Sequence, residues 1–223
     1  MTTTTARPGI RHRAGAWWLG LSALAIAVYA PLPYLTTSLS ELAANGGGLA
    51  DNYVDRPAAL QGVLYLHIVG SALALLLSPW QLSARVRRRI PRLHRVGGRL
   101  TLAGIAVGGT AGLVLSPFNA AGPVGTAGFG LLAVVWLGCA AAALRAILRG
   151  DVASHRRWAI RTFALTYAGV TLRLWLAVFI VGSGLDEQTA FDRFYPLTAF
   201  LSWVPNLLLA EWLLRRKRIT ART

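Results

Sequence analysis

Three polar side chains stand in stretches that are otherwise apolar: His67, Arg173 and Asn206. Counted from the nearer end of its stretch, His67 lies about seven residues in and Arg173 about eight, roughly 10 to 12 Å along a helix. Imidazole and guanidinium therefore share one level. No carboxylate falls at that level in any neighbouring stretch, and a guanidinium in a low-dielectric phase needs a partner. A bound anion, a ligand carbonyl, a helix C-terminal carbonyl or water in an outward-facing cavity would each supply one. With the Asn206 amide, the pair has the chemistry to hold a small amphipathic or anionic molecule: a quinone, a lipid or a carboxylate. The plainer alternative is that Arg173 snorkels to headgroups and His67 makes one interhelical hydrogen bond.

A second set repeats. His94, Arg95 and Arg99 precede one apolar stretch, and His155, Arg156 and Arg161 precede another. Clustered arginines at a membrane surface recognise phosphoryl groups, so lipid headgroup contact is the expected role. The alternative is a b-type haem, with His94 and His155 as axial ligands and the arginines on its propionates. The flanking arginines place both histidines at headgroup level, which argues against an apolar haem slot. Met1 is the only methionine, and Cys139 is alone in mid-stretch, a packing residue that cannot form an intrachain disulfide. There is no phosphate-binding glycine loop, no paired metalloprotease histidines and no Gly-x-Ser-x-Gly turn. Glu211 is expected to pair with Arg215 at i+4.

The elements that must position these groups are six apolar stretches: Trp17 to Leu35, Gln61 to Leu82, Leu100 to Ser116, Val124 to Leu144, Trp158 to Val181 and Pro196 to Leu214. A bilayer core about 30 Å thick takes roughly 20 helical residues to cross, so these are spans of an all-α polytopic bundle. A hydrophobic content of 55% and a mean hydropathy of +0.51 require a lipid solvent. The net charge of +15 is no sign of nucleic acid. Its arginines sit on alternate connections: Arg7, Arg11 and Arg13; Arg85 to Arg99; Arg145 to Arg161; and Arg215, Arg216, Lys217, Arg218 and Arg222. The other connections carry Glu41, Asp51, Asp55, Asp186, Glu187 and Asp192 against Arg56 and Arg193. By the positive-inside rule both termini are cytoplasmic and the protein belongs to the inner membrane. The first stretch carries Trp17 and Trp18, runs about 19 residues and lacks a small-residue cleavage site, so it reads as a span and not as a signal peptide.

The organisation is then a basic tail over 1–16, a membrane domain over 17–214 and a second basic tail over 215–223. Gly46 to Gly48 mark a loop after the first span. Spans two and three, and spans four and five, read as two copies of one helix pair, each with a His-Arg turn. Gly104, Gly108 and Gly112 form a small-residue stripe suited to close helix approach, or to a dimer, and place the third span centrally. His67, Gly70, Ala74 and Ser78 share one face, as do Thr162, Thr166, Gly169, Arg173 and Ala177, and Ala199, Ser202, Asn206 and Ala210. A small transporter would fit the repeat, but no inner-half charge and no unwound mid-span helix is expected.

His67 with Gly70, the turn His94, Arg95, Gly98, Arg99, and the later His155, Trp158, Arg161 resemble a bacterial family of multi-pass membrane proteins known as a domain of unknown function. The resemblance runs from Gln61 to Trp212 and leaves the first span outside. It implies the multi-pass architecture and no reaction.

Overall fold

In hydrocarbon only helices and closed barrels satisfy the backbone internally. The computed structural model of the chain describes residues 10–46 and 49–219, with side chains from 14 to 216, and among these there are helices and turns but no strand. Arg7, Gly47, Gly48 and Arg222, and the side chains of Arg11, Arg13, Lys217 and Arg218, lie outside the described residues.

Six segments are long and apolar enough to cross a bilayer: Ala14–Thr36, Ala58–Leu82, Pro91–Phe118, Gly122–Leu148, Val152–Ser183 and Glu187–Arg216. The first consists of α1 (Ile10–Tyr29) and α2 (Leu32–Thr36). α3 (Leu39–Ala44) and α4 (Asp51–Val54) follow in the connection expected to be a loop. Ser38 makes α3 possible by accepting from the Glu41 amide at 3.2 Å. The second span is α5 (Ala58–Leu82), and the short basic α6 (Ala84–Arg89) leads into α7 (Pro91–Leu115) and α8 (Gly122–Leu148). Leu39, Ala50, Tyr53, Leu64 and Leu115 are buried together, with Tyr34 packed against them. Residues 31–46 and 49–57 therefore cap one end of α5 and α7. The arginine-rich connections lie at the other, basic end.

The last two spans are each built of two helices. α9 (Val152–Thr166) stops at Tyr167 and α10 (Ala168–Ser183) resumes; α11 (Glu187–Leu201) stops at Ser202 and Trp203 before α12 (Val204–Ile219). Tyr167 and Ser202 keep right-handed helical angles, and each span remains one apolar segment interrupted at a single turn. Pro205 accounts for the second break, because it lacks the N–H that a continuing helix would need and sits well in the first turn of a new one. At the first break the Tyr167 hydroxyl is held by Ser22 of α1 at 2.6 Å, among Ala23, Ala27, Leu75 and Val170. The sixth span also begins earlier than Pro196. Asp186 accepts from the Thr189 amide at 2.9 Å and starts α11 there, and this capping bond holds its carboxyl below the usual range. Asp151 caps α9 in the same way through Ser154, at 2.8 Å.

Burial sets the arrangement in the plane. In its most apolar stretch the third span has 44% of its residues buried and the first 17%. α7 is central, as its glycine stripe implies, while α1 lies outside against α5 and α10. The main core joins Ala74, Ile105, Trp136, Cys139, Ala140, Leu165, Ala168 and Trp203, so Cys139 is the packing residue expected.

α5 and α7 form the most extensive helix pair. A Cβ on Gly104 would lie 2.8 Å from the Gly70 carbonyl oxygen, one on Gly70 2.7 Å from the Gly108 amide, and one on Gly108 2.7 Å from the Ser71 amide. Those contacts are with backbone, which cannot swing aside. Gly108→Val is expected to destabilise the detergent-purified protein by about 1–3 kcal/mol through overpacking, seen as a lower thermal midpoint. Gly62→Ala, where the added methyl meets nothing within 4 Å, should leave the midpoint unchanged or raise it.

Candidate functional site

His67 uses the space that the glycines leave. Its ring lies over Gly112, whose Cβ would come within 2.9 Å of Nδ1, and Nδ1 is 2.8 Å from the Gly108 carbonyl oxygen. A carbonyl can only accept, so Nδ1 carries the proton. The neutral ring then has its lone pair on Nε2, which has no protein partner among the described residues.

Arg173 lies about ten residues from the cap end of α10, and His67 about nine from that of α5. The expected common level is present, and the two side chains are within electrostatic reach of each other. Helical side chains lean toward the N-terminus, and Arg173 Nη1 donates to the Gly169 carbonyl, one turn back on its own helix, at 2.8 Å. That is its one hydrogen bond among the described residues, and the side chain remains exposed.

Tyr34, Tyr195 and Tyr29 lie within electrostatic range of Arg173, as Tyr65 does of Tyr34 and Tyr53 of Tyr195. Tyr34 comes from the cap and Tyr195 from α11, where its ring stacks on Phe191 at 4.6 Å and meets Phe129 at 5.6 Å. Tyr195 is 8% exposed, and neither its hydroxyl nor that of Tyr34 has a protein hydrogen bond among the described residues. Neither tyrosine is a candidate on the sequence alone. The available signal was tyrosines at the cap end, where interfacial aromatics are expected anyway.

Asn206 does different work from that expected. Its amide nitrogen donates to the Ala164 carbonyl at 3.2 Å, Thr171 Oγ1 at 3.0 Å and the Ser202 carbonyl at 3.0 Å, while Thr171 Oγ1 also donates to the Ser202 carbonyl. It thus ties the break in the fifth span to the break in the sixth, using carbonyls at both. The fully buried Ser202 hydroxyl beside it has no partner among the described residues.

At the basic end, Arg161 Nε and Nη2 donate to the two carboxylate oxygens of Glu211, the second at 3.0 Å, and the guanidinium lies 4.5 Å from the Trp158 ring. Glu211 therefore joins the fifth span to the sixth, in place of the expected i+4 pairing with Arg215 as its main bond. One edge of Arg161 is taken up by protein, while Arg95, Arg99 and Arg156 stay exposed. His155 Nδ1 donates to the Ala143 carbonyl at 2.9 Å. The Gln81 amide, oriented to suit its neighbours, donates to His94 Nδ1 at 3.1 Å and to the His94 carbonyl at 3.0 Å, and accepts from the Gly98 amide at 3.2 Å. His94 and His155 are within electrostatic reach of each other. Among the described residues no group of three or more His, Cys, Asp or Glu forms a metal cluster. A groove beside them is lined by Arg145, Arg149, Asp151, Ser154 and Trp158, at the opposite end from Arg173.

The family described as "Predicted membrane protein (DUF2306)" matches residues 64–214, and the chain belongs to it. The matched stretch takes in His67, the basic turns, Arg173 and Asn206, and leaves out α1 and the whole cap, Tyr34 included. No curated protein matches the chain, and no solved structure does.

The Arg161–Glu211 pair has a direct test in a double-mutant cycle. Arg161→Gln and Glu211→Gln should each lower thermal stability by about 1–3 kcal/mol, because each takes the two-point pairing away from a half-buried charge. The double variant should lose less than their sum.

Proposed function

We propose that this member of the family binds a small amphipathic molecule, with a polar or anionic head, beneath the cap. Arg173 supplies the charge and His67 a hydrogen bond or a proton-accepting site. One observation carries the reading: an exposed guanidinium with no carboxylate partner among the described residues, within electrostatic reach of an imidazole and of phenols whose Nε2 and hydroxyls have no hydrogen-bond partner there. Such groups converging inside a span default to a functional site, since each pays a desolvation cost that only a ligand or water offsets. Asn206 supports the site from behind, by bracing the two breaks, in place of contacting the ligand.

The cap end faces out and the basic end faces the cytoplasm, with both termini inside, in the inner membrane. Arginine density on alternate connections supports this orientation. Arg95, Arg99 and Arg156 then lie at headgroup level, where membrane lipids are their partners. The two-copy reading of the helix pairs draws support from a shared device. In each pair the histidine of the return helix is tied back to the helix before it, His94 to Gln81 and His155 to Ala143. α5 with α7 and α8 with α9 are also the two most extensive pairings.

Arg173→Leu in the full-length, detergent-purified protein is expected to abolish binding of decylubiquinone, decylubiquinol and decanoate alike. Circular dichroism and gel filtration should match the parent. Binding at parental affinity by the variant would remove the pocket.

A further inference from the structure

Resting on that reading, we infer that the head recognised beside Arg173 is a hydroquinone type: a flat ring that accepts hydrogen bonds on its oxygens and donates at least one. The groups available to a ligand are unequal in kind. Arg173 has several N–H donors and one internal bond, to Gly169. The hydroxyls of Tyr34 and Tyr195 either donate or accept. His67 is different, because its Nδ1–H is committed to Gly108 and the neutral ring offers only a lone pair at Nε2.

A head with acceptors alone, such as a carboxylate, would satisfy Arg173 and both phenols but set oxygen lone pairs against that of Nε2. A phosphate monoanion has a donor, but it is bulky, strongly hydrated and favours more than one guanidinium. A ring bearing hydroxyls meets every group: its oxygens take the hydrogens of Arg173 and the phenols, and one of its own hydrogens goes to Nε2. Aromatic rings cluster on α10 and α11, the helices that carry Arg173 and Tyr195. Tyr195 stacks on Phe191 at 4.6 Å, and Phe179 stacks on Phe194 at 5.0 Å, between α10 and α11. The site lies within the span, about ten residues below the cap end of α10, at a depth that a lipid-tailed ring reaches. Tyr34 makes the cap part of the site.

The test compares decylubiquinol with decanoate, which has an alkyl tail of the same length and an acceptor-only head, by titration of the full-length protein in detergent. Decylubiquinol should bind at least about tenfold more tightly, the value of one well-made hydrogen bond. His67→Leu should bring the two affinities together, and Tyr195→Phe, which removes a single oxygen, should weaken decylubiquinol by roughly threefold to tenfold. Unchanged decylubiquinol binding in both variants would overturn the inference. Equal or tighter decanoate binding by the parent, lost in Arg173→Leu, would overturn the hydroquinone head and leave the pocket standing. If neither compound binds the parent protein, pocket and head group fall together.

Discussion

The approach of α5 to α7 at Gly70, Gly104 and Gly108 is the constraint on which the rest depends. Helices in lipid gain little from burying apolar surface against each other, so close backbone contact and interhelical hydrogen bonds must supply the specificity. Missing side chains at three points bring the two backbones within a distance that no Cβ tolerates. This places the Gly108 carbonyl in reach of the His67 ring and so decides which of its nitrogens holds the proton. A packing contact thus sets the chemistry of the candidate site.

The other half of the site depends on the broken spans. A continuous fifth helix would have no reason to share its carbonyls with the sixth. The interruptions at Tyr167 and at Ser202 and Trp203 leave backbone groups that Asn206 and Thr171 bridge. The bridge fixes α10, which carries Arg173, relative to α11 and α12, while Tyr167 with Ser22 fixes it to α1. At the basic end the Arg161–Glu211 pair holds the same two spans together. Arg173 therefore projects from a helix anchored on three sides, beneath a cap that brings Tyr34 to it.

The spans and the depth match of His67 and Arg173 were legible in the sequence because both follow from hydropathy and from the rise of a helix. The glycine stripe correctly marked α7 as central for the same local reason. What escaped depended on contacts between segments far apart in the chain. Arg215 is visible to Glu211 through helical spacing, whereas Arg161 stands 50 residues away and becomes its neighbour only when the fifth and sixth spans pack. The break at Ser202 had a local cause in Pro205, but at Tyr167 no proline marks the interruption, and the helix gives way where the ring is held by α1. Tyr34 lies at the very end of the first stretch and Tyr195 on the polar start of the sixth span, where interfacial aromatics are expected and draw no notice. Asn206 shares its helix face with the buried Ala199, Ser202 and Ala210, whereas Arg173 and Ala177 on the corresponding face of the fifth span are exposed; the role of Asn206 as a brace follows from carbonyls at the breaks.

The claim at the centre is that the α5–α7 contact holds His67 as the Nδ1–H tautomer with Nε2 open. Nitrogen-15 solid-state NMR of histidine-labelled protein in lipid bilayers reads this directly, with the His67 signals identified by their loss in His67→Leu. The account predicts a protonated Nδ1 and an unprotonated Nε2 for the neutral ring. The opposite assignment, with the proton on Nε2, would contradict it.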